Sequence, residues 1–65
     1  MQVMVNAEPL EIADGATVAT LVTLRRPKPP FAVEVNAQLV RRTTYEQTRL
    51  RPGDRIEIVT LVGGG

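Results

Sequence analysis

Apolar and polar residues alternate along the first part of the chain. The alternation runs through residues 1–6, breaks at a turn that begins at Asn6, and resumes with Leu10 and Ile12. Period-two alternation is typical of a strand with one buried face. The pattern therefore predicts two short strands that pair as a hairpin.

A helical period replaces the alternation after Thr17. Apolar residues recur at i, i+3 and i+4 spacing from Val18, and Arg25 and Arg26 fall in the last turn. Thr17 is a favourable N-cap, and cations near the C-terminus complement the helix dipole. The proline-rich segment 27–30 cannot continue a helix, because proline lacks the backbone donor. The pattern predicts one helix followed by a stiff crossover.

Extended segments return in the second half of the chain. Alternation predicts a strand over residues 31–36 and a short strand over residues 39–40, separated by a turn. A Pro-Gly turn at residues 51–54 precedes a last strand over residues 55–61. The outward positions of that strand include Val59 and Leu61.

Between the short strand and the last strand, the sequence predicts one helical turn. Thr43 with Glu46 and Thr44 with Gln47 form two overlapping capping-box patterns. Tyr45 lies inside this turn, and we expect its ring to anchor the turn at the edge of the core.

The order of elements predicts an α+β fold in which one main helix covers one face of a sheet of four to five strands. Its length limits the chain to one domain with a small core. The predicted core comprises Val3, Val5, Leu10, Ile12, Val18, Leu21, Val22, Phe31, Val33, Val35, Leu50, Ile56 and Ile58.

Composition excludes several kinds of chemistry. The chain contains no cysteine and no histidine, so thiol nucleophiles, disulfides and imidazole bases are absent. We expect no metal site, a reducing cytoplasmic setting and no membrane span. Eight basic and seven acidic residues give a formal charge of +1, which argues against a nucleic-acid partner.

The chain ends on Gly63, Gly64 and Gly65. We expect residues 1–62 to form the domain and residues 63–65 to form a flexible tail, which a partner enzyme can thread into a narrow site because glycine has no side chain. Four residues beyond Leu61 reach about 13 Å when extended. The carboxylate of Gly65 is the candidate working group. Met4, Val59 and Leu61 form the candidate docking patch for that partner.

The chain resembles the β-grasp, ubiquitin-like sulfur carrier proteins, most closely the ThiS type of thiamine biosynthesis. The resemblance rests on Val3-Met4-Val5-Asn6, Gly15-Ala16-Thr17-Val18, Leu21, Val33-Glu34-Val35-Asn36, Val40, Arg42, Gly53-Asp54-Arg55-Ile56 and Gly64-Gly65. It covers essentially the whole chain and implies a β-grasp fold.

The resemblance also implies a carrier that is not itself an enzyme. In such proteins an E1-like adenylyltransferase of the ThiF type uses ATP to adenylate the last glycine, here Gly65. Sulfur from a cysteine-derived persulfide then replaces the adenylate, and a thiazole synthase of the ThiG type accepts it from the resulting thiocarboxylate. ATP belongs to the activating partner, and the carrier itself binds no cofactor.

Three alternatives stay open at this point. The small subunit of molybdopterin synthase also carries a thiocarboxylate, and a ubiquitin-like modifier is joined to lysines through the same glycine. A nucleic-acid-binding module is a more distant possibility, because only Phe31 and Tyr45 offer rings for base stacking. Arg41 and Arg42 are better placed in a solvated surface that steers an acidic partner.

Overall fold

The computed structural model describes residues 1–61. The strands are β1 (Gln2–Val5), β2 (Glu8–Glu11), β3 (Phe31–Val35), β4 (Gln38–Val40) and β5 (Arg55–Thr60), with one helix, α1 (Val18–Arg25), and a short 3₁₀ helix (Arg42–Thr44). The order in the sheet is β2-β1-β5-β3-β4, with β1 parallel to β5 and the other pairs antiparallel. The predicted α+β, β-grasp architecture is confirmed, and the mixed sheet, predicted to have four to five strands, has five.

The core lies between α1 and one face of the sheet. Each predicted core residue is either buried or packs against the buried cluster. Ile56 is fully buried in the central strand, where it pairs with Val5 on one side and Val35 on the other. The structure adds Ala16 and Tyr45 to the buried set. Tyr45 therefore anchors its turn as predicted.

The start of α1 is stabilised by its own cap and by the chain that follows β4. Thr17 and Thr20 form a reciprocal capping box. The backbone N–H of Val18 donates to the carbonyl of Thr48 at 2.9 Å, and that of Ala19 donates to the carbonyl of Tyr45 at 3.1 Å. These bonds satisfy first-turn donors that have no acceptor within a helix.

Two local predictions need correction. The capping boxes at Thr43 and Thr44 are not formed: the segment folds as a 3₁₀ helix with no side-chain cap, and the Thr44 hydroxyl donates backwards to the carbonyl of Arg41. The carbonyls that accept from the start of α1 belong to Tyr45 and Thr48, which follow this 3₁₀ helix. At the other end of α1, Arg26 is not in the last turn but caps the helix in the left-handed conformation, with φ of 48°.

The two hairpins of the sheet have the same turn. Each is a two-residue loop in which asparagine and alanine both have positive φ, 49° and 69° at Asn6 and Ala7, and 51° and 69° at Asn36 and Ala37. This is the type I′ geometry, whose twist matches that of paired strands.

Both turn asparagines also contact β5. The Asn6 side chain accepts from the N–H of Ile58 at 2.8 Å and donates to its carbonyl at 3.3 Å. The Asn36 side chain accepts from the N–H of Arg55 at 3.0 Å and donates to Asp54 Oδ1 at 3.0 Å. The central strand is therefore held from both sides.

The amino group of Met1 binds at the open end of the first hairpin, opposite the turn. It donates to the carbonyl of Ile12 at 2.7 Å and lies 3.1 Å from Asp14 Oδ1 and 3.6 Å from Glu11 Oε2. The hydrogen bond to Asp14 is the largest cause of a raised pKa for this ammonium group, and burial opposes it.

Candidate functional site

The described chain ends where β5 meets the beginning of β3. The N–H of Leu61 donates to the carbonyl of Pro30 at 2.8 Å, one residue before Phe31 begins β3. This bond fixes the root of the C-terminal tail at one end of the sheet. The predicted attachment residue Gly65 and the tail residues Gly63 and Gly64 lie outside the described residues.

The predicted docking patch falls on the sheet face that α1 does not cover. Val59 is 46 % exposed and pairs with Ala32, and Leu61 is 51 % exposed beside the root of the tail. The structure therefore brings Val59 and Leu61 close together. Both lie at the end of the sheet where the described chain stops.

Met4 lies apart from these two residues. It is half-buried and pairs with Arg55 at the beginning of β5. Val59 lies four residue steps beyond Arg55 along β5, which corresponds to about 13 Å. Arg55 and Glu57 occupy the same face between them.

Leu39 is an apolar residue of this face that the sequence analysis did not assign to the patch. It is 67 % exposed and pairs with Glu34, which in turn pairs with Glu57 on the uncovered face. The available signal was the alternation in β4, where Val40 faces the core and its neighbour must face outward. We call Leu39, Val59 and Leu61 the open-face patch.

Five basic residues lie at the end of α1, in the crossover and after β4. Arg25 and Arg26 end the helix, Lys28 lies in the crossover, and Arg41 and Arg42 follow β4. All five are exposed. Within residues 1–61, the only ion pairs are those of the Met1 ammonium group, so none of these cations pairs with a described carboxylate.

A groove of about 590 Å³ lies between the crossover and β4, beside the root of the tail. Its lining residues are Pro29, Pro30, Phe31, Ala32, Leu39, Val40, Arg41, Arg42, Thr43 and Tyr45. The groove thus joins part of the open-face patch to an arginine pair.

Residues 1–61 contain no group of three potential metal ligands. No helix among these residues has the length and apolar character needed to cross a bilayer.

Known proteins resemble this chain along its whole length. A thiazole synthase from Paramagnetospirillum magneticum is 33% identical over 66 residues, which cover 100% of this chain and 20% of that protein. The uncharacterized protein ycf40 of Porphyra purpurea is 27% identical over 66 residues, covering 100% of this chain and 93% of that protein. The chain thus spans a fifth of the first relative and nearly all of the second.

Two solved structures also resemble this chain in fold and in sequence. The crystal structure of the thiamine biosynthesis protein (ThiS) from Geobacter metallireducens matches with a TM-score of 0.85 and 26% identity, covering 100% of both chains. The solution structure of a thiamine biosynthesis protein from the same organism matches with a TM-score of 0.80 and 26% identity, covering 100% of this chain and 88% of that one. The family model named ThiS matches residues 3–65. The chain therefore belongs to the ThiS family of sulfur carrier proteins.

Proposed function

We propose that this protein carries sulfur on the carboxyl group of Gly65 for thiazole formation in thiamine biosynthesis. One observation supports this most strongly: the family match includes the three terminal glycines as well as the folded domain. The fold adds a fixed tail root at Leu61, from which the remaining residues reach about 13 Å. The protein acts as a carrier and co-substrate of other enzymes.

The first step of the proposed cycle activates an unreactive group. The α-carboxyl group has a reference pKa of about 3.3 to 3.7, so it is an anion near neutral pH and a poor electrophile. A carboxylate oxygen of Gly65 attacks the α-phosphorus of ATP in an E1-like enzyme of the ThiF type, and pyrophosphate leaves. The product is an acyl adenylate, whose AMP group is a good leaving group.

The second step introduces sulfur. The terminal sulfur of a cysteine-derived persulfide attacks the acyl carbon of Gly65, and AMP leaves. A thiol then reduces the sulfur–sulfur bond of the acyl disulfide, which releases the donor cysteine as a mixed disulfide and leaves the thiocarboxylate on the carrier. No side chain of the carrier takes part in these bond changes.

The acceptor in this proposal is a thiazole synthase of the ThiG type. Support comes from the Paramagnetospirillum magneticum protein named thiazole synthase, in which a segment similar to this whole chain makes up a fifth of the length. Carrier and acceptor functions encoded in one polypeptide are expected to act on each other.

Intact mass of the C-terminus tests the proposal. The protein is incubated with ATP and an activating enzyme, then with a persulfide donor and a thiol. We expect a transient adenylate and then a mass increase equal to the difference between sulfur and oxygen. A variant lacking Gly65 should stay folded and remain unmodified. Larger adducts on lysine would favour a ubiquitin-like modifier, and adenylation of the shortened variant would show that the third glycine is not required.

The open-face patch is the proposed contact with the activating enzyme. Val59→Asp should raise the KM for adenylation at least about tenfold, because an unpaired carboxylate is costly to bury in an apolar interface. Thr60→Asp is the matched control, since Thr60 is exposed on the same strand but faces the other way. Met4→Asp tests whether the distant Met4 contributes. Equal KM values for Val59→Asp and Thr60→Asp would remove Val59 from the contact.

A further inference from the structure

The two edges of the sheet differ in how well they are protected against another chain. The outer strand β2 has the sequence Glu-Pro-Leu-Glu, and both charge and proline discourage pairing at an edge. The opposite outer strand β4 has the sequence Gln-Leu-Val, without charge or proline, and Leu39 projects from it into solvent. Of the two edges, β4 is the one open to a partner.

The groove beside β4 combines two kinds of contact. Ala32, Leu39 and the ring of Phe31 give it apolar walls. Arg41 and Arg42 follow β4 directly and form its charged side. Both arginines are exposed and have no carboxylate of residues 1–61 within ion-pair distance. An arginine pair beside an apolar wall fits an apolar side chain flanked by carboxylates.

The position of the groove limits which protein can use it. The groove includes Pro30, whose carbonyl holds Leu61 at the root of the tail. An enzyme that draws the tail into its active site must therefore cover this end of the sheet. The first enzyme to take the free carboxylate is the activating one.

We propose that the groove between the crossover and β4 receives an acidic segment of the activating enzyme, with its carboxylates on Arg41 and Arg42 and an apolar side chain against Leu39. This inference rests on the proposed function and adds to it the chemistry of the partner surface. The arginine pair acts mainly on association, because charges at the rim of an interface steer encounter. The apolar wall acts on dissociation.

Paired variants with equal net charge test this proposal. Arg41→Gln with Arg42→Gln is compared with Arg49→Gln with Arg51→Gln, since all four side chains are exposed and the control pair lies outside the groove. Binding of each to the activating enzyme is measured without ATP. We expect the groove pair to associate about tenfold more slowly at low salt and the control pair to remain close to wild type. About 0.5 M salt should abolish the difference.

Steady-state adenylation gives a second readout. The groove pair should raise KM and leave kcat unchanged, because Gly65 and the ATP site are untouched once the complex has formed. Leu39→Ser, which removes the apolar contact without adding charge, should speed dissociation without changing the salt dependence. Thermal unfolding confirms that each variant is folded.

Three results are decisive. Equal association rates for the two arginine pairs overturn the inference, and so does a wild-type protein that does not bind the activating enzyme. A wild-type protein that binds but is never adenylated overturns the proposed function, while the binding comparison still decides the groove.

Discussion

The two hairpins of this protein have the same turn but different exposed surfaces. Each turns through asparagine and alanine in left-handed conformations, and each places its asparagine side chain on β5. Beyond the turns the resemblance ends. The first hairpin ends in the charged, proline-containing strand β2, whereas the second ends in the uncharged strand β4 and the basic residues Arg41 and Arg42.

The residues that stabilise the sheet, the turn asparagines and their contacts to β5, are thus distinct from the exposed groove beside β4. The two turns and the buried Ile56 between them form a frame around β5, although β1 runs parallel to β5 and β3 runs antiparallel to it. The exposed apolar Leu39 and the groove belong only to the second hairpin. The two hairpins therefore share their turn geometry but not their exposed surface.

The largest expected effect comes from the turn asparagines. Asn6→Ala and Asn36→Ala should each lower the free energy of unfolding by about 2 kcal/mol, because each loses two hydrogen bonds and places alanine in the left-handed region. Urea unfolding followed by circular dichroism measures the change. Equal losses would establish that the frame is energetically symmetric.

Glycine and aspartate at the same positions separate the causes. Asn→Gly removes the side chain without left-handed strain, so about 1 kcal/mol of the loss should return at both sites. Asn→Asp keeps the acceptor for β5 but loses the donor. The new carboxylate of Asn36→Asp would also face the carboxylate of Asp54, which accepts a hydrogen bond from Asn36 in the wild type. Asn36→Asp should therefore be more destabilising than Asn6→Asp. The reverse order would show that the Asn36–Asp54 contact contributes little.

Much of the fold follows from the sequence because its signals are local. Alternation located all five strands, and the change of period after Thr17 located the helix and its cap. The predicted turn residues also include both asparagines. The repeated Val-Asn-Ala at residues 5–7 and 35–37 was an unused sign that the two hairpins share one turn geometry.

The remaining features depend on contacts between distant segments. The predicted capping boxes after Arg42 are not formed, and the Thr44 hydroxyl bonds the carbonyl of Arg41 instead. The carbonyls of Tyr45 and Thr48 accept from the start of α1, more than twenty residues earlier. The wide spacing of Met4 and Val59 follows from the parallel register of β1 and β5. No local pattern specifies either one. Leu39 is different, since the alternation of β4 was enough to place it outward.

A smaller effect is expected from the second residue of each turn. Ala7 and Ala37 both have φ of 69°, where a Cβ atom is unfavourable and glycine is not. Ala7→Gly and Ala37→Gly should each relieve about 1 kcal/mol of left-handed strain. The greater freedom of glycine in the unfolded chain offsets part of this gain, so the free energy of unfolding should rise by less than about 1 kcal/mol.

The double variant, Ala7→Gly with Ala37→Gly, tests whether the two turns contribute equally to the free energy of unfolding. The turns lie at separate sites, so their effects should add. Ala13→Gly is the matched control, since Ala13 is exposed outside any helix or strand and is not among the residues with positive φ; it should not stabilise. Stabilisation at only one of the two turns would show that the hairpins differ in strain despite their equal angles.

The smallest expected effect is a dependence of stability on pH that arises at the first hairpin. The pKa of the Met1 ammonium group is raised above its ordinary value of 8.0, chiefly by the hydrogen bond to Asp14. A group whose pKa is higher in the folded state stabilises fully below the unfolded pKa and loses that contribution as pH rises through the folded pKa. The Tm of the wild type should therefore fall slightly as pH rises above 8.

Asp14→Asn should flatten this fall, because it removes the partner that most favours the charged amine. Asp54→Asn is the matching substitution beside the second hairpin. Asp54 accepts a hydrogen bond from the turn residue Asn36 and another from the N–H of Arg51. That variant should lower Tm at every pH and leave the slope above pH 8 unchanged, since Asp54 is not among the groups that contact the ammonium. A slope that persists in Asp14→Asn would mean that the amine does not carry the pH dependence, and the first hairpin would then not be the source of the fall in Tm above pH 8.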